Sequence, residues 1–135
     1  MSWLFDTVAL SEATKPRANP GFIRWIETVE AEVVYTSVLC LGEIRRGIEM
    51  LPPGDKRYGL EAWLTSDLPG WLGSRVLPID LDCSIAWGAM GARSRVSPID
   101  ALIAATALNY GLTVVTRNVR DFDGLGVAIV NPWTP

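Results

Sequence analysis

Four acidic residues carry the chemistry open to this chain: Asp6, Glu43, Asp100 and Asp121. Each stands beside an apolar run of the kind that forms a strand or a buried helix. Asp6 directly follows Trp3-Leu4-Phe5. Asp100 lies in Ser97-Pro-Ile-Asp-Ala-Leu-Ile-Ala-Ala-Thr-Ala-Leu108, which reads as the start of a buried helix. A hydrophobic sheet has no need of carboxylates at its strand ends, whereas a divalent-metal site does. Clustered carboxylates repel unless a cation neutralises them. Hard oxygen ligands without His or Cys select Mg²⁺ or Mn²⁺ over zinc. Such ions activate water, orient a phosphate and offset charge on the leaving oxygen, so the set points to metal-dependent phosphodiester chemistry.

Each acid alone also has a structural reading. An Asp-Thr pair at a strand end can make an Asx-turn. Ser97, Pro98 and Asp100 have the spacing of a capping-box-like helix start, where an acid also meets the helix dipole. Glu43, between Leu41 and Ile44, can be a solvated helix flank. Asp121 can cap a short turn, with Asp123 as a nearby substitute. These readings weaken jointly if the fold brings the acids to one edge.

Composition narrows the classes. The 135 residues include no histidine, which removes Ser-His-Asp and Cys-His catalysis and most zinc sites. Cys40 and Cys83 match no metal spacing and read as small buried hydrophobes. A hydrophobic content of 49% with 20% charged residues excludes disorder. No apolar run approaches the roughly 20 residues needed to cross a bilayer. The start, Met1-Ser-Trp-Leu-Phe-Asp6, lacks the basic region of a signal peptide, so a cytoplasmic protein without a membrane partner is expected. A net charge of −3 and a pI of about 4.9 argue against a generic nucleic-acid binder. A nucleic-acid enzyme would need metal ions and a local arginine cluster. Of 12 basic residues only Lys15 and Lys56 are lysines. Arg45, Arg46 and Arg117 are candidate RNA or partner contacts, because arginine's planar fork matches phosphate or carboxylate.

The elements that position the acids follow from periodicity. Strands are expected at Trp3–Phe5, Val33–Thr36, Arg75–Ile79, Leu112–Thr116 and Gly126–Val130. A turn is expected at Ser11-Glu12. Between the strands, Phe22, Ile23, Trp25, Ile26 and Val29 recur at helical spacing, as do Val38, Leu41, Ile44 and Ile48 after a Ser37 cap. A further helix carries Tyr58 to Trp71, broken at Pro69-Gly70. Asp80 to Met90 reads as a helix with Ile85, Ala86 and Ala89 inward, and Gly111 stops the Asp100 helix. Strands separated by helices imply a single α/β domain over residues 1–135, a small parallel sheet with helices on both faces. Ligands in such sheets bind outside the carboxyl ends of the strands, where Asp6 and Asp121 fall.

With the four acids in this order, the chain resembles the PIN-domain ribonucleases, and more narrowly the VapC/FitB-type toxins of type II toxin–antitoxin pairs. The resemblance is carried by Leu4-Phe-Asp-Thr7, Leu10-Ser-Glu12, Gly42-Glu-Ile-Arg-Arg-Gly-Ile48, Asp100-Ala-Leu-Ile-Ala-Ala-Thr-Ala107, Thr116-Arg-Asn-Val-Arg-Asp-Phe122 and Asn131-Pro-Trp133. It spans almost the whole chain. It implies a PIN-like fold, a Mg²⁺ or Mn²⁺ site and cleavage of RNA. Asp6, Asp100 and Asp121 would be metal ligands, Glu43 would complete the pocket, and Thr116 and Asn118 would support it. It also implies inhibition by a cognate VapB-like antitoxin and a homodimer, for which the six tryptophans are compatible with an apolar interface. One departure is Val8, where the family usually carries Asn. Another is a short segment before Asp100, at Arg93-Ser-Arg95.

Other classes fit less well. A haloacid-dehalogenase-type phosphatase needs a second Asp where Val8 stands. A dinucleotide-binding domain needs glycines that Thr7 to Leu10 lacks. A degenerate PIN fold acting as an RNA- or protein-binding module stays open, and metal-dependent cleavage separates it from the enzyme.

Overall fold

In a computed structural model of the chain, residues 1–92 and 95–133 are described. Five short strands form one all-parallel sheet: β1 (Trp3–Phe5), β2 (Val34–Ser37), β3 (Val76–Leu77), β4 (Thr113–Val115) and β5 (Ile129–Val130). Their order across the sheet is β3-β2-β1-β4-β5, so the chain builds outward from β1 in one direction and then in the other. The switch point lies between β1 and β4. The register pairs Phe5 with both Thr36 and Val115. Asp6, Ser37 and Thr116 therefore stand in one row at the carboxyl edge.

The helices fall into two groups. α1 (Thr7–Thr14), α2 (Pro20–Ile26), α3 (Val38–Glu49), α4 (Asp55–Ala62) and α5 (Leu68–Leu72) pack in a chain of mutual contacts. α6 (Leu81–Gly91) and α7 (Pro98–Tyr110) pack on each other. Right-handed crossovers with this strand order put the two groups on opposite faces of the sheet, as expected from the sequence. Phe5 sends its ring to the first face, meeting Phe22, Trp25 and Trp71 at centroid distances of 6.2, 5.9 and 6.5 Å. Trp133 closes over Phe22 at 4.9 Å. Its indole Nε1 donates to the buried Glu12 (3.0 Å), which also accepts from the Asn19 backbone N–H (3.0 Å).

Several expectations need correction. Ser11-Glu12 is no turn, because α1 runs through it and Leu10 and Glu12 face the core. Pro69-Gly70 does not break its helix. A π-helical stretch, Trp63–Asp67, joins α4 to α5. This wider ladder, placed just ahead of Pro69, lets the chain continue past a residue that cannot donate. On α6, Ile85 and Ala89 point outward and Cys83 inward, leaving Leu81, Ile85 and Trp87 exposed. Trp3, Trp25, Trp63, Trp71 and Trp133 all pack in or against the core. The tryptophan count therefore reflects the core, and Trp87 alone among the six reaches the exposed class.

α7 is apolar nearly all round, as suits a helix covered on several sides. Ala101, Ile103, Ala104, Ala105 and Ala107 are buried, and its first turn carries Asp100. Gly111 ends it with φ +68°, the left-handed conformation that favours glycine. Cys40 and Cys83 are both buried.

Phe22 is fully buried among three aromatic rings, so Phe22→Ala should cost about 3–5 kcal/mol in denaturant unfolding. In the monomer, Ile85→Ala, on the exposed face of α6, should stay within about 0.5 kcal/mol of wild type.

Candidate metal centre

The carboxyl edge at the switch point gathers the acids from four separate elements. Asp6 ends β1 and caps α1, with Oδ1 accepting from the Ala9 N–H at 2.8 Å. It is only 6% exposed. Burial raises its pKa above the ordinary 3.8, hydrogen bonds from Thr116 and Ala9 pull it back, and the charges of Asp100 and Glu43 push it up again.

Asp100 sits at the third position of α7. The Ser97 hydroxyl accepts from the Asp100 N–H (3.2 Å) and donates to its Oδ2 (3.0 Å). The helix-cap reading of Asp100 is thus correct, and it also aims the side chain, since one oxygen is tethered to Ser97. Burial is again the first cause of a raised pKa, opposed by Ser97 and reinforced by Asp121 and Glu43.

Glu43 projects from α3 one position before the buried Ile44 and is itself exposed. Its Oε1 accepts from the Thr7 hydroxyl at 2.6 Å, which ties α3 to the start of α1. Sequence periodicity gave no signal for this role of Thr7, since the bond spans 36 positions. Asp121 is exposed on a short 3₁₀ turn (Val119–Phe122) that Phe122 anchors in the core.

The supporting residues act through the backbone. Thr116 is fully buried and its hydroxyl accepts from the Asn118 N–H at 3.0 Å. The Asn118 carbonyl then accepts from the Asp121 N–H at 3.0 Å. Thr116 thereby links Asp6 to the turn carrying Asp121. The Asn118 side chain is exposed and caps nothing. Val8, in the first turn of α1, is partly buried against the core and brings no amide to the site.

Among the predicted cations, Arg45 is engaged by Glu49 and by Glu61 (3.6 Å) on the α3–α4 seam. Arg46 and Arg117 are exposed. An open cleft of about 530 Å³ lies against two of the four acids, Asp100 and Asp121, and is also lined by Arg95, Ser97, Arg120 and Asp123. Of the sequence segment Arg93-Ser-Arg95, the first two residues lie outside the described residues.

Other chemistry is poorly supplied. Burial pushes the Cys40 thiol to about 11, so it is no thiolate nucleophile at neutral pH. Among the described residues no helix is long and apolar enough to cross a membrane.

The sequence matches the PIN domain family over residues 3–127. This chain belongs to that family. It is 35% identical to the plasmid stability protein StbB of Pseudomonas syringae pv. tomato, covering 96% of this chain and 97% of the relative. A VapC ribonuclease of Sinorhizobium fredii is 33% identical over 98% of both chains. The toxin FitB of Neisseria gonorrhoeae is 30% identical, over 96% and 97%. The solved structure of FitAcB from that organism superimposes with a TM-score of 0.90 at 30% identity, covering 98% of this chain and 99% of the other. The PIN domain, the all-parallel sheet and the VapC/FitB-type kinship all agree with the sequence reading.

The donor chemistry fits a hard divalent ion. All four acids offer oxygen only, and Asp6 and Asp100 each feel two other carboxylates across the site. Among the described residues, no three acidic side chains stand close enough to form a ligating group in this conformation. A shared ion would require side chains to move closer together, and Glu43 and Asp121 are both exposed.

The raised pKa values fix signs. A carboxyl whose pKa is higher folded than unfolded binds its proton more tightly in the native state. Its ionisation destabilises the metal-free fold at neutral pH and is relieved as pH falls. Asp100→Asn should therefore melt slightly above wild type without metal at pH 7.5, the gap closing toward acid. Mn²⁺ at a hundred times its Kd should stabilise wild type by about 2.7 kcal/mol at pH 7.5, an effect lost as pH falls through the raised carboxyl values. Thermal melts with and without Mn²⁺ across pH check both.

Proposed function

We propose that residues 1–135 act as a single PIN domain: a Mg²⁺- or Mn²⁺-dependent endoribonuclease, the toxin of a VapBC-type toxin–antitoxin pair. The observation that carries the reading is the electrostatic coupling of Asp6 with Asp100 and Glu43, and of Asp100 with Glu43 and Asp121, near the carboxyl end of β1. Kinship with proteins named VapC ribonuclease and toxin FitB supports the class. Asp6, Asp100 and Asp121 would hold the ion, with Glu43 completing the pocket. When bound, the ion supplies Lewis acidity toward the phosphate and an acidified water.

The chain's own residues do the rest. The Ala9 N–H at the start of α1 and the Thr116 hydroxyl favour the ionised form of Asp6 and partly offset its burial. Ser97 holds Asp100, and Thr7 holds Glu43 on the solvent side, where it can accept a proton from water. With no histidine present to deprotonate a ribose hydroxyl, the 2′-OH is a spectator, giving 5′-phosphate and 3′-hydroxyl ends. A VapB-like antitoxin, a cytoplasmic location and a homodimer complete the reading. For the homodimer, the exposed Leu81, Ile85 and Trp87 of α6 are the apolar surface on offer.

One observation favours the alternative, a catalytically weak PIN fold acting as an RNA- or protein-binding module: an apolar, partly buried Val8 stands where the family usually places an amide.

Cleavage of RNA by antitoxin-free protein separates the two. The enzyme reading predicts cutting with Mg²⁺ or Mn²⁺, none in EDTA, and a loss of at least ~10²-fold in Asp100→Asn. Folded protein that leaves several RNA classes intact supports the binding module, and 2′,3′-cyclic ends refute the hydrolytic route.

A further inference from the structure

Resting on the nuclease reading, we propose that Arg95 and Arg120 form a phosphate subsite that holds the RNA strand beside the carboxylates. The starting problem is electrostatic. A chain of net charge −3 has no bulk field to draw in RNA, and its catalytic edge concentrates further negative charge. The cations that seat the substrate must therefore be local.

Many cations are already engaged. Lys15 lies 3.5 Å from the buried Glu12. Arg57 bridges Glu49 (3.1 Å) and Glu61 (3.2 Å), and Arg45 meets the same two acids. Arg75 spends its guanidinium on the carbonyls of Ala31, Val34 and Trp71. Arg45, Arg57 and Arg75 thereby tie separate segments together, whereas Lys15 pairs within its own helix end.

Arg95 and Arg120 differ from them in place and in state. They come from different loops, one leading into α7 and one on the 3₁₀ turn, yet they line the same 530 Å³ cleft as Asp100 and Asp121. Both are exposed, and neither makes an ion pair among the described residues although Asp100, Asp121 and Asp123 share the cleft. A guanidinium with its fork open suits a phosphate, which it binds through two parallel hydrogen bonds. The cleft's volume falls in the range that encloses a small ligand such as a nucleotide. Phosphates flanking the scissile one would lie on the two arginines while the scissile one faces the acids. Arg95 and Arg120 belong to the wider set of arginines that lie close in sequence to the acids, and the fold places these two in the cleft.

The test is steady-state cleavage of a labelled single-stranded RNA in Mg²⁺, over a range of salt, by wild type, Arg95→Ala, Arg120→Ala, the double variant and the control Arg24→Ala on α2. Circular dichroism melts confirm that each exposed substitution leaves the fold intact. The expected result is a KM raised ~10-fold by each substitution with kcat within about twofold. The log–log salt slope should shrink by about 0.7 per arginine, Arg120→Lys should recover part of the KM loss, and Arg24→Ala should match wild type. Unchanged KM and slope in the double variant overturn the subsite and leave the nuclease reading intact. A fall in kcat at constant KM also overturns it. Wild type that cuts no RNA overturns both.

Discussion

Asp6 is a carboxylate almost out of reach of water, at the end of the central strand, with two further carboxylates close enough to raise its pKa. Buried charge of one sign is costly unless paired or neutralised. Much of the local architecture manages that cost. The Ala9 amide of α1 and the Thr116 hydroxyl favour the ionised form of Asp6. Ser97 does the same for Asp100 at the start of α7. What these bonds leave uncompensated is the mutual repulsion, which the divalent cation of the proposed function would cancel. Under the proposed metal-dependent function, affinity for the ion and the electrostatic cost of the metal-free site would have one origin.

The sheet order makes this gathering possible. Because the chain reverses its direction of growth between β1 and β4, the loops after those strands diverge and open a crevice. Asp6 and the turn carrying Asp121 line it from adjacent strands. α3 and α7, on opposite faces, bring Glu43 and Asp100 to its rims. The aromatic cluster around Phe5 and Phe22 anchors β1 from below, so the acid row is held by packing far from any ligand.

Much of this was legible in the residues. Strand–acid adjacency at Phe5-Asp6, the Ser97 and Gly111 caps and the buried helix between them depend on local chemistry and are visible in sequence. What was hidden depends on long-range contact. The Thr7–Glu43 bond joins α1 to α3, and the ion pairs that occupy Arg45 join α3 to α4. Ile85 and Ala89 were misplaced on α6 because its apolar residues surround it, leaving no preferred face to read. Pro69 looked like a break because the π-helical stretch that accommodates it has no local sequence mark.

The most direct test of the central claim is diffraction from crystals grown with Mn²⁺, using its anomalous signal to locate the ion. The account predicts a peak within bonding distance of Asp6, Asp100 and Asp121 at the carboxyl end of β1, absent in Asp6→Asn crystals. A fully occupied ion elsewhere, or an empty carboxylate cluster at millimolar Mn²⁺, would contradict it.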